Sequence, residues 1–199
     1  MSLPPFSKKI YQRPFDFLLK DKDLVGAEIG IWRGYHAFFM LQVMDIKKIS
    51  LIDPWIDYSG YNGDDSFEYT EIFLQDYCEK IDVVRKTSKE ACVLFEDESL
   101  DFVYLDGNHN YEHIEEDIRL WTPKVKIGGI ISGHDYDGAF SGVVKAVDEY
   151  CTKHSINFEV RGKKDFDYYD CFADWAFKKN GLIKEWNYYE NDNSATQKT

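Results

Sequence analysis

The chain has 199 residues, 44% apolar and 17% aromatic, enough for one sizeable core, and no stretch of it reads as an interdomain linker. Its 24 basic side chains against 36 acidic ones give a net charge of −12, which repels nucleic acid and anionic membrane surfaces. The densest basic runs, Lys47-Lys48, Lys163-Lys164 and Lys178-Lys179, are two residues long and offer no compensating patch.

There is no N-terminal apolar h-region and no run of about 18 apolar residues, so neither a signal peptide nor a spanning helix is expected. Cys78, Cys92, Cys151 and Cys171 form no C-x-x-C pair and read as reduced thiols. These features predict a soluble, cytoplasmic protein of a single domain, 1–199.

Residues 4–20 mix apolar and basic side chains and read as a lead-in helix or lid. Val25–Gly30 is a short apolar strand ending in glycine, and Tyr35–Met44 has helical length without a breaker. Lys48–Asp53 is a second buried strand, stopped by Pro54. Residues 55–68, rich in Tyr, Gly, Asn and Asp, form a loop by their turn chemistry. Helical spacing resumes over Tyr69–Lys80. A strand over Ile81–Arg85, a helix over Lys89–Phe95 and a strand over Leu100–Leu105 follow. The helix Tyr111–Trp121 stops at Pro123, and Gly128-Gly129 turns into the strand Ile130–Ser132. After a helix over Val143–His154, the strands Asn157–Arg161 and Cys171–Phe177 close the unit, and the tail 191–199 is polar.

Five strand–helix alternations and a terminal strand pair predict an α/β fold, a mainly parallel sheet with helices on both faces. Right-handed crossovers bring the carboxyl ends of its parallel strands to one edge, where such sheets bind ligands. Glu28–Gly34, Asp53, Asp106–His109 and His134-Asp135 are all expected on that edge.

Gly30 follows a strand and Gly34 precedes a helix, a setting in which backbone approaches a ligand. An ordinary strand–helix turn with convenient glycines explains them as well. A dinucleotide site would want a second glycine beside the pyrophosphate, where Trp32 stands. Asp53 can accept the hydroxyls of an adenosine ribose, or simply start a turn before Pro54. Asp106 and Asp135 repel each other on one rim unless a cation or proton lies between them; otherwise they hydrogen-bond loop backbone. Mg²⁺ suits two carboxylates, and an imidazole at His134 tilts the preference toward Mn²⁺, Fe²⁺ or Zn²⁺. His109 could take a proton from a substrate hydroxyl, pack under Tyr111 or cap the following helix. Trp55, Tyr58 and Tyr61 could cover a cofactor or stack on a substrate, or meet a neighbouring subunit of a homo-oligomer.

The pattern E-x-G-x-x-x-G at Glu28–Gly34 resembles the first motif of class I S-adenosylmethionine-dependent methyltransferases. The run from Leu100 to Asp135, LDFVYLDGNHNYEHIEEDIRLWTPKVKIGGIISGHD, is similar to their small-molecule subgroup of catechol and macrolide-sugar O-methyltransferase types. The resemblance covers roughly residues 24–178. It implies a Rossmann-like seven-stranded sheet with an antiparallel last strand, S-adenosylmethionine as cofactor and a small hydroxylated acceptor, a sugar or secondary metabolite. It further implies cofactor contacts at Glu28, Gly30, Gly34, Asp53, Ser88 and Asp106, and a divalent metal (Mg²⁺ or Mn²⁺) at Asp106, His134 and Asp135. His134 stands where an oxygen ligand is usual. Ser88 also reads as the N-cap of the helix that follows, with Ala91 at the capping-box position. The rivals are a nucleotide-dependent oxidoreductase on a similar sheet and a non-catalytic cofactor-binding module.

Overall fold

The computed structural model describes residues 21–57, 60–161 and 173–181. The lead-in at 4–20, Tyr58, Cys171 and the tail at 191–199 lie outside those residues. Twelve main elements alternate along the chain: β1 (Leu24–Ile29), α1 (Tyr35–Val43), β2 (Ile46–Ile52), α2 (Gly63–Phe73), β3 (Ile81–Val84), α3 (Ser88–Cys92), β4 (Leu100–Leu105), α4 (Tyr111–Trp121), β5 (Val125–Gly133), α5 (Ser141–Lys153), β6 (Glu159–Arg161) and β7 (Asp174–Lys178). The seven strands form one sheet in the order β3-β2-β1-β4-β5-β7-β6. The first five run parallel, and β7 lies antiparallel between β5 and β6.

Alternate residues of the strands feed two cores, as period-2 side chains must. On one face Ile29, Val103, Leu105 and Ile131 pack with Ile114, Ile118 and Trp121 of α4 and Val143 and Val147 of α5. On the other, Ile49, Leu51, Phe102 and Ile130 pack with Ala37, Met40 and Leu41 of α1. Among the described residues no helix is long and apolar enough to cross a membrane. Cys78, Cys92 and Cys151 are free thiols.

Four expectations are corrected by local chemistry. The helix expected at Tyr69–Lys80 starts at Gly63 instead and ends at Phe73. Asn62 caps it, its side chain accepting the Asp65 N–H at 2.8 Å, and Asp64 and Asp65 favour the positive helix end. The cap of α3 is Thr87 rather than Ser88. Its hydroxyl accepts the Glu90 N–H while Glu90 accepts the Thr87 N–H, a complete capping box. That helix is also short, ending at Cys92 instead of Phe95. Finally, β5 begins at Val125, ahead of the diglycine. The β4–β5 register shifts between Leu100 and Phe102, and Gly128 takes φ +87°, so the two glycines sit inside a bulged strand.

Strand order reverses between β1 and β4, so the loops that follow these two strands diverge around a crevice. This is the position in which doubly wound sheets hold ligands.

Candidate active site

Gly30 begins the loop after β1 with φ +86°. A Cβ there would lie 2.0 Å from the Asp106 carbonyl oxygen and 2.7 Å from the Gly107 nitrogen. What the missing side chain makes room for is therefore the neighbouring loop after β4. The two loops are stitched together by the Asp106 N–H, which donates to the Ile29 carbonyl at 2.7 Å. Gly34, at φ +76°, is the N-cap of α1.

Asp53 ends β2 and ties this loop down. Its Oδ2 accepts the N–H groups of Ile31 and Trp32 at 2.9 and 3.0 Å, and its Oδ1 accepts that of Trp55 at 2.7 Å. A carboxylate has roughly four lone-pair sites, so these bonds leave it with capacity for a further donor. Glu28 is 1% exposed, and its Oε1 lies 3.0 Å from His36 Nδ1.

Beyond the β4 end lies a cluster of four ionisable side chains. Asp106, His134 and Asp135 each offer a ligand atom within 4.8 Å of the others. His134 Nδ1 is 3.1 Å from Asp135 Oδ1 and 3.7 Å from Asp106 Oδ1. His109 Nε2 approaches Asp135 Oδ2 to 2.7 Å, while Asp106 Oδ1 is farther off at 3.9 Å. The neighbouring carboxylates, Asp106 and then Asp135, raise the His109 pKa to about 9 against a smaller opposing effect of burial. The imidazole therefore carries a proton at neutral pH. Burial alone would raise the Asp135 carboxyl, but hydrogen bonds from His109 and His134 outweigh it and hold the group well below the usual carboxylate range. Gly142 at the start of α5 lets that helix press on the His109 loop, since a Cβ there would lie 2.6 Å from the His109 carbonyl oxygen.

Three residues of this region are absent from the sequence-based expectations. Register places Gly133 of β5 opposite Trp175 of β7, so the antiparallel count sets His134 against Asp174. Asp174 is 2% exposed, its Oδ1 3.9 Å from His134 Nε2 and accepting the Tyr104 hydroxyl at 2.8 Å. The Tyr104 ring in turn stacks on His36 with centroids 3.9 Å apart. A polar row thus crosses an otherwise apolar face, from Glu28 through His36, Tyr104 and Asp174 to His134. The available signal was an Asp at the head of the apolar run Trp175–Phe177.

Ser88 heads α3 and joins a second polar group. Its hydroxyl donates to Asp117 Oδ1 and accepts Trp121 Nε1–H at 2.8 Å. Burial lifts the Asp117 pKa to about 7, the Ser88 hydrogen bond only partly opposing it. A folded-state pKa above the unfolded value of about 3.9 means the folded chain binds the extra proton. Its stabilising effect is complete below about pH 4 and is lost as pH rises to about 7. Asp117→Asn should therefore remove a stability decline of up to about 4 kcal/mol across that window. Urea titrations of both proteins at pH 5 and pH 8 check this. The variant should gain on the wild type at pH 8 and converge with it toward low pH; a constant difference would contradict the assignment.

Residues 27–136, more than half of the chain, match the family model described as a methyltransferase domain. A stretch of 115 residues is 26% identical to an uncharacterized protein of Sinorhizobium fredii. The match takes in 55% of this chain and 13% of that relative, so the chain spans only a small part of that protein's length. Among solved structures, the precorrin-6y C5,15-methyltransferase of Geobacter metallireducens superposes with a TM-score of 0.62 at 17% identity, covering 87% of this chain and 92% of that one. An O-methyltransferase of Bacillus cereus in complex with S-adenosylhomocysteine gives 0.58 at 12% identity, over 78% and 74%. An rRNA methylase of Streptococcus thermophilus gives 0.62 at 14% identity, over 83% and 93%. At such identities these likenesses show the fold.

Proposed function

This chain belongs to the methyltransferase-domain family, and from that premise we propose that it moves a methyl group from S-adenosylmethionine to a hydroxyl of a small molecule, with a divalent cation assisting. The observation that carries the reading is the contact between the Gly30 loop and Asp106, which joins the glycine loop to the Asp106/His134/Asp135 donor group at the strand-order switch. A cofactor seated on the loop would have its reacting end beside that group.

Glu28, Gly30, Gly34, Asp53, Ser88 and Asp106 are the residues that would hold the cofactor. Asp53 suits ribose hydroxyls because its three backbone bonds leave a lone pair over. S-adenosylmethionine supplies an electrophilic methyl group whose transfer needs in-line alignment above all. For the cation, two carboxylates and one imidazole within 4.8 Å suit Mn²⁺ better than Mg²⁺, which favours oxygen donors alone. When bound, such an ion polarises the acceptor hydroxyl.

The protein's own part is charge and proton management. Asp106, partly exposed, faces the rim as a proton acceptor for the hydroxyl. His109 holds a proton between Asp106 and Asp135, so it serves first to balance their charge and accepts a proton only after releasing that one. The protein itself, acting as one chain or as a homo-oligomer, would work in a cytoplasmic setting on a small acceptor.

A screen of hydroxylated sugars and phenols with methyl-labelled S-adenosylmethionine tests this. Transfer should fall at least about tenfold after EDTA treatment and return on adding Mn²⁺. Full activity in EDTA would remove the cation from the account. A complete lack of transfer to any acceptor would favour a non-catalytic binding module.

A further inference from the structure

The described arginines with visible side chains differ in one respect. Arg85 pairs with Asp64, and Arg119 lies 3.9 Å from Glu115 and 3.8 Å from Glu116. Arg33, in the glycine loop itself, has no hydrogen bond or ion pair among the described residues, and its Nε is buried without a partner. Its guanidinium carbon lies 5.3 Å from the ring centroids of both Trp32 and Tyr69, a clamp of aromatic faces. Withdrawing a cation partly from water is unfavourable until an anion joins it.

The residue next to it is held in an equally specific way. Trp32 adopts φ +51°, a left-handed conformation that a bulky residue rarely takes. Asp53 holds its N–H, and Trp55 Nε1 and the Thr70 hydroxyl reach its carbonyl at 3.0 and 3.1 Å. Three hydrogen bonds to its backbone maintain that strained conformation and set where the side chain leaves the loop. Trp32 is 46% exposed and makes a T-shaped contact with Tyr61, 52% exposed, at a centroid distance of 5.5 Å. The result is an exposed aromatic shelf of two rings set nearly at right angles, with the Arg33 guanidinium against Trp32 on the loop whose Gly30 abuts Asp106.

We propose that Arg33 and the Trp32–Tyr61 shelf are an anchoring site for the methyl acceptor, which therefore carries a carboxylate or phosphate attached to a flat or ring-shaped group. The inference rests on the methyltransferase reading for the identity of the ligand as an acceptor. Arg33 binds the anionic group through its fixed fork of N–H donors, and the shelf carries the ring. The anchor selects among acceptors and takes no part in the chemistry at Asp106.

Calorimetric titration of the full chain with phenyl phosphate, benzoate and neutral phenol, with and without S-adenosylhomocysteine, tests the site. Either or both anions should bind at least about tenfold more tightly than phenol, the difference expected for one charge-assisted hydrogen-bonded pair. Which anion binds better distinguishes phosphate from carboxylate. Arg33→Gln should abolish the preference, Arg33→Lys should keep part of it, and Trp32→Ala should weaken all three ligands. Equal binding of anions and phenol to the wild type, or an unchanged preference in Arg33→Gln, would overturn the proposal. So would a loss in Arg33→Gln confined to S-adenosylhomocysteine and spared in 5′-methylthioadenosine, which lacks the amino-acid carboxylate. Failure of the wild type to bind S-adenosylhomocysteine would sink the methyltransferase reading separately, because the anion comparison is also made without it.

Discussion

Asp135→Asn should lower methyl transfer by about 100-fold or more while leaving the chain folded, the usual scale for losing a group that manages a proton at the reacting centre. The substitution isolates charge from shape. Asp135 sits at φ +61°, a conformation that asparagine tolerates and most residues do not. The local turn is carried by backbone: the Tyr136 N–H donates to Ala173 and the Asp137 N–H to the Asp135 carbonyl, at 2.8 and 2.7 Å. Removing the charge takes away the nearest counter-ion of His109, at 2.7 Å, and one of three candidate metal donors. Steady-state kinetics with and without added Mn²⁺ read the first effect, and Mn²⁺ binding followed by electron spin resonance reads the second. Wild-type kcat/KM and wild-type Mn²⁺ affinity together would remove Asp135 from the site.

The other large effect is expected at Gly30. An alanine Cβ would stand 2.0 Å from a backbone oxygen, which no side-chain rotation can relieve. The left-handed φ of +86° adds about 1–2 kcal/mol of strain for any residue with a Cβ, and overpacking typically adds another 1–3 kcal/mol. Gly30→Ala should therefore lose about 3 kcal/mol, seen as a melting temperature lower by roughly 10 °C. Because the loops after β1 and β4 must part, S-adenosylhomocysteine affinity should fall with it. Gly60, whose added Cβ would meet nothing within 4 Å and whose φ is also +86°, is the matched control for strain without a clash. Equal losses in the two variants would show that the close approach to Asp106 does not matter.

Much of this arrangement is written in local pattern. Strand ends can be read from apolar runs that stop in Gly, Asp or Pro, and the parallel topology then collects Gly30, Asp53, Asp106 and His134-Asp135 on one edge. The helix Tyr111–Trp121 is read to the residue because its amphipathic spacing and Pro123 agree. The failures come from competition between near-equivalent neighbours. Thr87 and Ser88 are adjacent hydroxyls, and only the geometry of Glu90 selects the first as the cap. Asn62 begins a helix inside a stretch whose Gly, Asn and Asp content reads as loop, since capping residues and turn residues are the same residues. The Asp174–Tyr104 pair joins positions 70 residues apart through strand register, which no local pattern encodes. Arg33 is invisible in a different way: its significance lies in the partner it lacks.

The glycine loop carries the central claim, and calorimetric titration of one preparation with S-adenosylhomocysteine and with NAD tests it most directly. The account predicts saturable binding of S-adenosylhomocysteine, weakened in Gly30→Ala, and no response to NAD. Tight NAD binding with no response to S-adenosylhomocysteine would contradict it, and would return the chain to nucleotide-dependent redox chemistry on the same sheet.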